Sequence, residues 1–138
     1  MLALNLAITC LTNPRAGREA FWPAPALFPA DRVKRILVVG GGPAGMEAAA
    51  TAAERRHDVS IWERSDRLGG ALNWTEKMPL RTEFGKLLTH QAQRLADAGV
   101  AVSLANEATP DNLTEAGADR VIWAAGVDPK AQVLRSGG

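Results

Sequence analysis

The chain has 138 residues, 46% hydrophobic and 22% charged, with a net charge of +1; that is room for one globular domain burying roughly two thirds of its unfolded surface. The near-neutral balance gives no reason to propose a nucleic-acid or membrane partner, and no run approaches the ~18 apolar residues of a membrane span. A single cysteine excludes an internal disulfide and fits a reducing, cytoplasmic setting.

Residues 1–11 are apolar but lack a basic lead-in, and Ala7-Ile8-Thr9 before Cys10 makes a poor processing site, which argues against a secretory signal. A polar, turn-rich patch follows from Asn13 to Glu19. Pro23, Pro25 and Pro29 then forbid a helix and favour an extended path. Residues 1–30 therefore read as a strap whose apolar side chains lie along a surface, and residues 31–138 as the folded domain.

Ile36-Leu37-Val38-Val39 is a short continuous apolar run, the pattern of a buried central parallel strand. It enters Gly40-Gly41-Gly42-Pro43-Ala44-Gly45, and an alanine-rich helix leaves, running to about Arg56. Gly40, Gly42 and Gly45 have the G-x-G-x-x-G spacing that brings a dinucleotide pyrophosphate against backbone N–H groups at a helix start. Pro43 falls in the first turn, where its missing N–H costs nothing. Gly45, Ala48, Ala49, Ala52 and Ala53 give the helix a face of small side chains for close packing.

Asp58 to Glu63 reads as the second strand, with Val59 and Ile61 alternating with Ser60. Glu63 closes it about twenty residues after the glycines, where the fingerprint needs an acid for an adenosine ribose. A carboxylate there disfavours a 2′-phosphate, although Arg64 beside it can accommodate one. Arg67-Leu68-Gly69-Gly70 is either a flexible loop or a second backbone segment approaching the ligand; an extended FAD would use such a segment more than NAD would. Residues 75–79 read as irregular.

Residues 80–98 predict a helix, with Phe84, Leu87, Leu88, Gln91 and Leu95 at three- and four-residue steps and Gly99 to end it. Residues 100–104 predict a third strand. Thr109-Pro110 predicts a capped short helix, and residues 119–126 a fourth strand ending on Ala124-Ala125-Gly126, which either border a ligand or simply pack. Residues 127–138 are polar and expected to fray. The order β-α-β-α-β-α-β, with right-handed crossovers, predicts a parallel α/β Rossmann-like three-layer fold with strand order 3-2-1-4 and a ligand at the carboxyl ends of the strands. Cys10 reads as a buried thiol, His57 and His90 as surface residues, and the four tryptophans as packing.

Taken together, the motifs resemble the old-yellow-enzyme-type iron–sulfur flavin oxidoreductases of the 2,4-dienoyl-CoA reductase and trimethylamine dehydrogenase family, specifically their C-terminal dinucleotide module. Residues 10–19 are similar to the segment holding the last of four cluster cysteines. Residues 36–50 match the FAD or ADP turn, residues 67–73 a Gly-Gly-x-x-Asn loop, and residues 121–126 an Ala-Thr-Gly strand in which Ala125 replaces the threonine.

This resemblance implies FAD, or alternatively ADP, held by Gly40, Gly42, Pro43, Ala44 and Gly45 at the pyrophosphate. Glu63 and Arg64 would lie at the ribose, Arg67, Gly69 and Gly70 alongside, and Ala108, Ala125 and Gly126 lining the pocket. It implies a longer parent with an FMN-bearing barrel, a 4Fe–4S cluster and a nicotinamide domain. The chain itself is then expected to be a fragment, inactive alone, whose Cys10 would be a metal ligand only with three further cysteines supplied.

Overall fold

The computed structural model describes residues 10, 13, 15–21, 28–75, 77–81 and 83–127. Most of the apolar amino-terminal run, Trp22, Pro23 and Pro25 of the strap and the carboxyl-terminal tail beyond Val127 lie outside the described residues. Four parallel strands form one sheet in the order β3-β2-β1-β4, the order expected from the sequence. These are β1 (Arg35–Val39), β2 (Asp58–Trp62), β3 (Ala101–Ser103) and β4 (Arg120–Trp123).

The central strand is the most apolar one, and Ile36, Leu37, Val38 and Val39 are all buried. Parallel register pairs Ile36 with Val59 and Val38 with Ile61 on one side, and Val38 with Ile122 on the other. Paired residues share a face, so Ile36, Val38, Val59, Ile61 and Ile122 form one apolar surface. Helix α1 (Pro43–Glu54) and helix α3 (Glu83–Asp97) lie over it. Met46, Ala49, Ala50 and Ala52 of α1 and Leu95 of α3 complete this core. The small side chains of α1 let its backbone come close to the sheet, which leaves room for Leu95 and Leu88 behind it.

The opposite face carries Leu37, Val39, Val121 and Trp123, because these are the alternate residues of the same register. Right-handed return from β3 to β4 runs residues 104–119 over this side. Its helix α4 (Pro110–Glu115) buries no residue, and Val121 and Trp123 stay 47% and 65% exposed.

Several expectations need correction. Trp74 and Trp123 are exposed rather than packed, because one sits on a one-turn surface helix and the other on the thinly covered edge strand. Cys10 is exposed, not buried. His57 is half-buried, its Nδ1 accepting the Lys34 N–H at 3.2 Å, while His90 is on the surface as expected. Helix α1 ends at Glu54 rather than Arg56, with Arg55 as its cap and Arg56 at φ 69°. Helix α3 starts at Glu83 because Leu80 sits in the left-handed region at φ 62°, a conformation a helix cannot contain. A one-turn helix α2 (Leu72–Thr75) stands where the sequence reads as loop.

The described end of the strap is fastened to α1. Ala30 N–H donates to the Arg55 carbonyl at 3.0 Å, and Arg55 Nε donates to the Phe28 carbonyl at 3.3 Å. Its Phe21 and Phe28 side chains nevertheless point outward, 87% and 78% exposed. Among the described residues no helix is long and apolar enough to cross a membrane.

Candidate functional site

Strand β1 delivers the chain to Gly40 with the ladder intact: Gly40 N–H donates to the Trp62 carbonyl and Ala124 N–H to the Val39 carbonyl, both at 2.8 Å. Gly40 then turns sharply at φ +108°, with its backbone pressed on Ala124 and Ala125. A side chain there would strike the Ala124 carbonyl. One at Gly45 would strike the Gly40 carbonyl, so this glycine lets α1 close onto the strand that precedes it. Gly42 is different. It is the extended N-cap of α1, at φ −73° and ψ 178°, and an added Cβ would meet nothing within 4 Å. The first and third glycines are thus required by packing, whereas the middle one opens onto free space in front of the helix. The unpaired N–H groups of the first helical turn, at Pro43's successors Ala44 and Gly45, face that end of the helix.

Glu63, directly after β2, is 7% exposed. One carboxylate oxygen, Oε2, accepts the Gly41 N–H at 2.6 Å. The other, Oε1, accepts the Ser65 N–H at 2.9 Å and the Ser65 hydroxyl at 2.5 Å. Burial works to raise the Glu63 carboxyl, but the Ser65 hydroxyl, the Ser65 and Gly41 N–H groups and the Arg64 charge together hold it below its ordinary value. The acid is therefore ionised, fixed in direction, and tied by a hydrogen bond to the glycine turn.

The loop after Glu63 folds back on the same turn. Gly69 N–H donates to the Gly41 carbonyl at 2.8 Å, and Leu68 packs against Gly41. Gly70 faces Gly42 so closely that a Cβ on it would lie 3.1 Å from the Gly42 Cα. Both loop glycines have positive φ, 116° and 52°, and Asn73 Nδ2 holds the bend by donating to the Leu68 carbonyl at 3.0 Å.

The structure thus brings Gly40, Gly42, Pro43, Ala44, Gly45, Glu63, Gly69, Gly70 and Ala125 to one place. Arg64 and Arg67 are exposed on the rim, and the Arg67 guanidinium stands 3.8 Å from Asp66. Gly126 leaves β4 at φ +72° beside open space. Ala108 belongs to a loop that is tied to the end of β2, through Ala105 N–H to the Ser65 carbonyl and Asn106 N–H to the Glu63 carbonyl, rather than to the glycine turn.

Sequence reasoning did not single out Ser65; a hydroxyl two residues past the acid is the signal that points to it. Among the described residues no three His, Cys, Asp or Glu side chains are grouped to hold a metal ion. With one cysteine in the sequence, a four-thiolate cluster does not fit this chain.

A family model described as pyridine nucleotide-disulphide oxidoreductase matches residues 16–138. The chain is 40% identical over 126 residues to a metal reductase of Desulforamulus reducens, covering 88% of this chain and 18% of that protein. It is 37% identical over 127 residues to a cinnamate reductase of Clostridium sporogenes, covering 92% and 19%. A solved 2-naphthoyl-CoA reductase in complex with 2-naphthoyl-CoA superposes with a TM-score of 0.82 at 39% identity, over 88% of this chain and 18% of that one. The chain spans less than a fifth of the length of these relatives. A multifunctional alkene reductase/demethylase of the old-yellow-enzyme type, from Caballeronia cordobensis, is also among them. With a four-stranded parallel sheet, a glycine turn closed by packing and a family match over most of its length, the chain belongs to the pyridine nucleotide-disulphide oxidoreductase family, and its relatives are the old-yellow-enzyme-type reductases that the sequence motifs resemble.

Proposed function

We propose that this chain is the FAD-holding half-module of an NAD(P)H-dependent flavin and iron–sulfur oxidoreductase, passing electrons in a longer parent between a nicotinamide cofactor and a barrel-bound flavin. Within it, residues 1–30 are the strap leading from the iron–sulfur segment and residues 31–138 the dinucleotide domain. The observation that carries the reading is the 2.6 Å bond from Gly41 N–H to the Glu63 carboxylate. It makes the acid and the glycine turn one rigid unit, so a nucleotide is met by both at fixed spacing.

The geometry supports a role for each residue. The first turn of α1, entered through Gly42 and Pro43, offers the N–H groups of Ala44 and Gly45 to a pyrophosphate, and the open space at Gly42 admits it. Glu63 has three of its four acceptor positions taken by Gly41 and Ser65, and the one left, on Oε2, accepts from a ribose hydroxyl. Gly69 and Gly70 let the second backbone segment approach without side chains, and Arg64 and Arg67 add positive charge at the rim. Ala125 and Gly126 close the β4 side. FAD, when bound, supplies the redox chemistry, and every role assigned here is one of binding and orientation.

The test is to titrate the purified chain with FAD and with ADP by calorimetry and to record its visible spectrum. Binding of FAD with a flavin absorption band is the expected result, and Glu63→Ala is expected to weaken it about 10- to 150-fold, the equivalent of one charge-assisted hydrogen bond. Tight binding of ADP with none of FAD would replace this reading by a non-redox nucleotide module. Equal affinity in Glu63→Ala and the parent chain would remove the site assignment.

A further inference from the structure

Gln91 is the single polar residue on the buried stripe of α3, between Leu87 and Leu95, and is only 8% exposed. Its Nε2 donates to the carbonyl of Pro43 at 3.2 Å, across 48 residues of sequence. Its Oε1 is buried without a hydrogen-bond partner among the described atoms. The orientation of the amide is set by chemistry, because the Pro43 carbonyl can only accept and proline has no N–H to offer the oxygen. A methionine or leucine would fill this position without an unmade hydrogen bond, so packing does not account for the residue.

The carbonyl that Gln91 touches belongs to the same peptide unit as the Ala44 N–H. In a planar trans amide the two point in opposite directions, and in a helix the N–H points toward the amino-terminal end. A donor placed on the carbonyl draws electron density toward the oxygen and strengthens the N–H as a donor, the cooperative polarisation of linked hydrogen bonds. Ala44 is the second helical residue, and its N–H has no intrahelical partner. We propose that Gln91 is a positioning residue for the pyrophosphate: from α3 it fixes and polarises the Pro43–Ala44 peptide so that the Ala44 N–H binds a phosphate oxygen more strongly. The inference rests on the nucleotide-site reading above and deepens it.

The variant that tests it is Gln91→Met, close to the same length and without either polar atom, with Gln91→Leu as the second should the first fail to fold. Both are compared with the parent chain by amide NMR titration with ADP and with adenosine, which lacks the phosphates. In the ligand-free variant the Ala44 amide proton moves upfield. ADP affinity falls about two- to fivefold, a fraction of one charge-assisted hydrogen bond, while adenosine affinity holds and Tm stays level or rises. An unmoved Ala44 resonance or unchanged ADP affinity overturns the proposal. So does an equal fall in ADP and adenosine affinity, which would mean that Gln91 only packs the helices together. If the parent chain binds no ADP, the nucleotide-site reading falls and takes this proposal with it; if the parent binds ADP and the variants match it, Gln91 alone is refuted.

Discussion

Glu63 shows how a buried carboxylate is kept charged. Three donors converge on it, the Gly41 N–H, the Ser65 N–H and the Ser65 hydroxyl, and their effect exceeds that of burial, so its pKa lies below the ordinary value. The folded state binds this proton less readily than the unfolded chain does. The resulting stability is therefore complete above the unfolded pKa of about 4.3 and is lost as pH falls through the lower, folded value. Denaturant midpoints measured from pH 6 down to pH 3 are expected to decline on the acid side in the parent chain. In Glu63→Gln that decline is shallower. In Ser65→Ala, burial is less opposed, the folded pKa moves up toward the unfolded one, and the decline is smaller and ends at higher pH than in the parent. Superimposable curves for Ser65→Ala and the parent would refute the role given to the hydroxyl.

Between elements, the packing of α1 on α3 is fastened by one arginine. Arg94 donates from Nε to Glu54 and from Nη1 to Glu47, each at 2.6 Å, and these acids stand two turns apart on α1, so the guanidinium spans them as a fork. Hydrogen bonding to Glu54 leads the causes that hold the Arg94 pKa above its ordinary value. Arg15, in the strap, lies 3.9 Å from the other oxygen of Glu54. These side chains are less than a third exposed, so the network lies between a surface pair and a buried one. Arg94→Met is expected to cost about 1–2 kcal/mol, read as a Tm lower by about 3–8 °C. The difference shrinks in 1 M salt, where screening weakens the ion pairs; an unchanged Tm would show that the ion pairs add nothing to the joining of the helices. At the other end of the chain, α4 relies on local chemistry. The Thr109 hydroxyl accepts the Asn112 N–H while the Asn112 side chain accepts the Thr109 N–H, a reciprocal cap that sets the helix start with no buried residue to help.

For the whole molecule, the two faces of the sheet are unequal. One carries the core of α1 and α3; the other leaves Val121 and Trp123 of β4 exposed, and the edge strand β3 is exposed on both. Stability follows the buried contacts, so opening should be easiest at the edges and hardest at the centre. In native-state hydrogen exchange, the amides of β1 and β2 are expected to exchange at least about 10-fold more slowly than those of β3 and β4. Uniform exchange across the four strands would show instead that the sheet opens only as a unit. The candidate site is carried by the best-buried strands, since β1 runs into the glycine turn, α1 starts from it, and Glu63 after β2 bonds to it.

The strands, the turn, the acid and the strand order are legible in the order of the amino acids. Each of these is a local or periodic demand: an apolar run for β1, glycines where a side chain would strike Ala124 or Gly40, an acid at the end of β2, and crossovers of one hand. Tertiary structure decided the partners. That Ser65 fixes Glu63, that Arg94 reaches two acids of α1, and that Gln91 meets the carbonyl of Pro43 depend on side chains brought together across as many as 48 residues. Spacing does not encode such meetings. It also fails to say which apolar residues stay uncovered, as Trp123 and Val121 do, or that Leu80 delays α3 by turning left-handed. Periodicity records which residues need burial; only packing settles what buries them and which polar group each one faces.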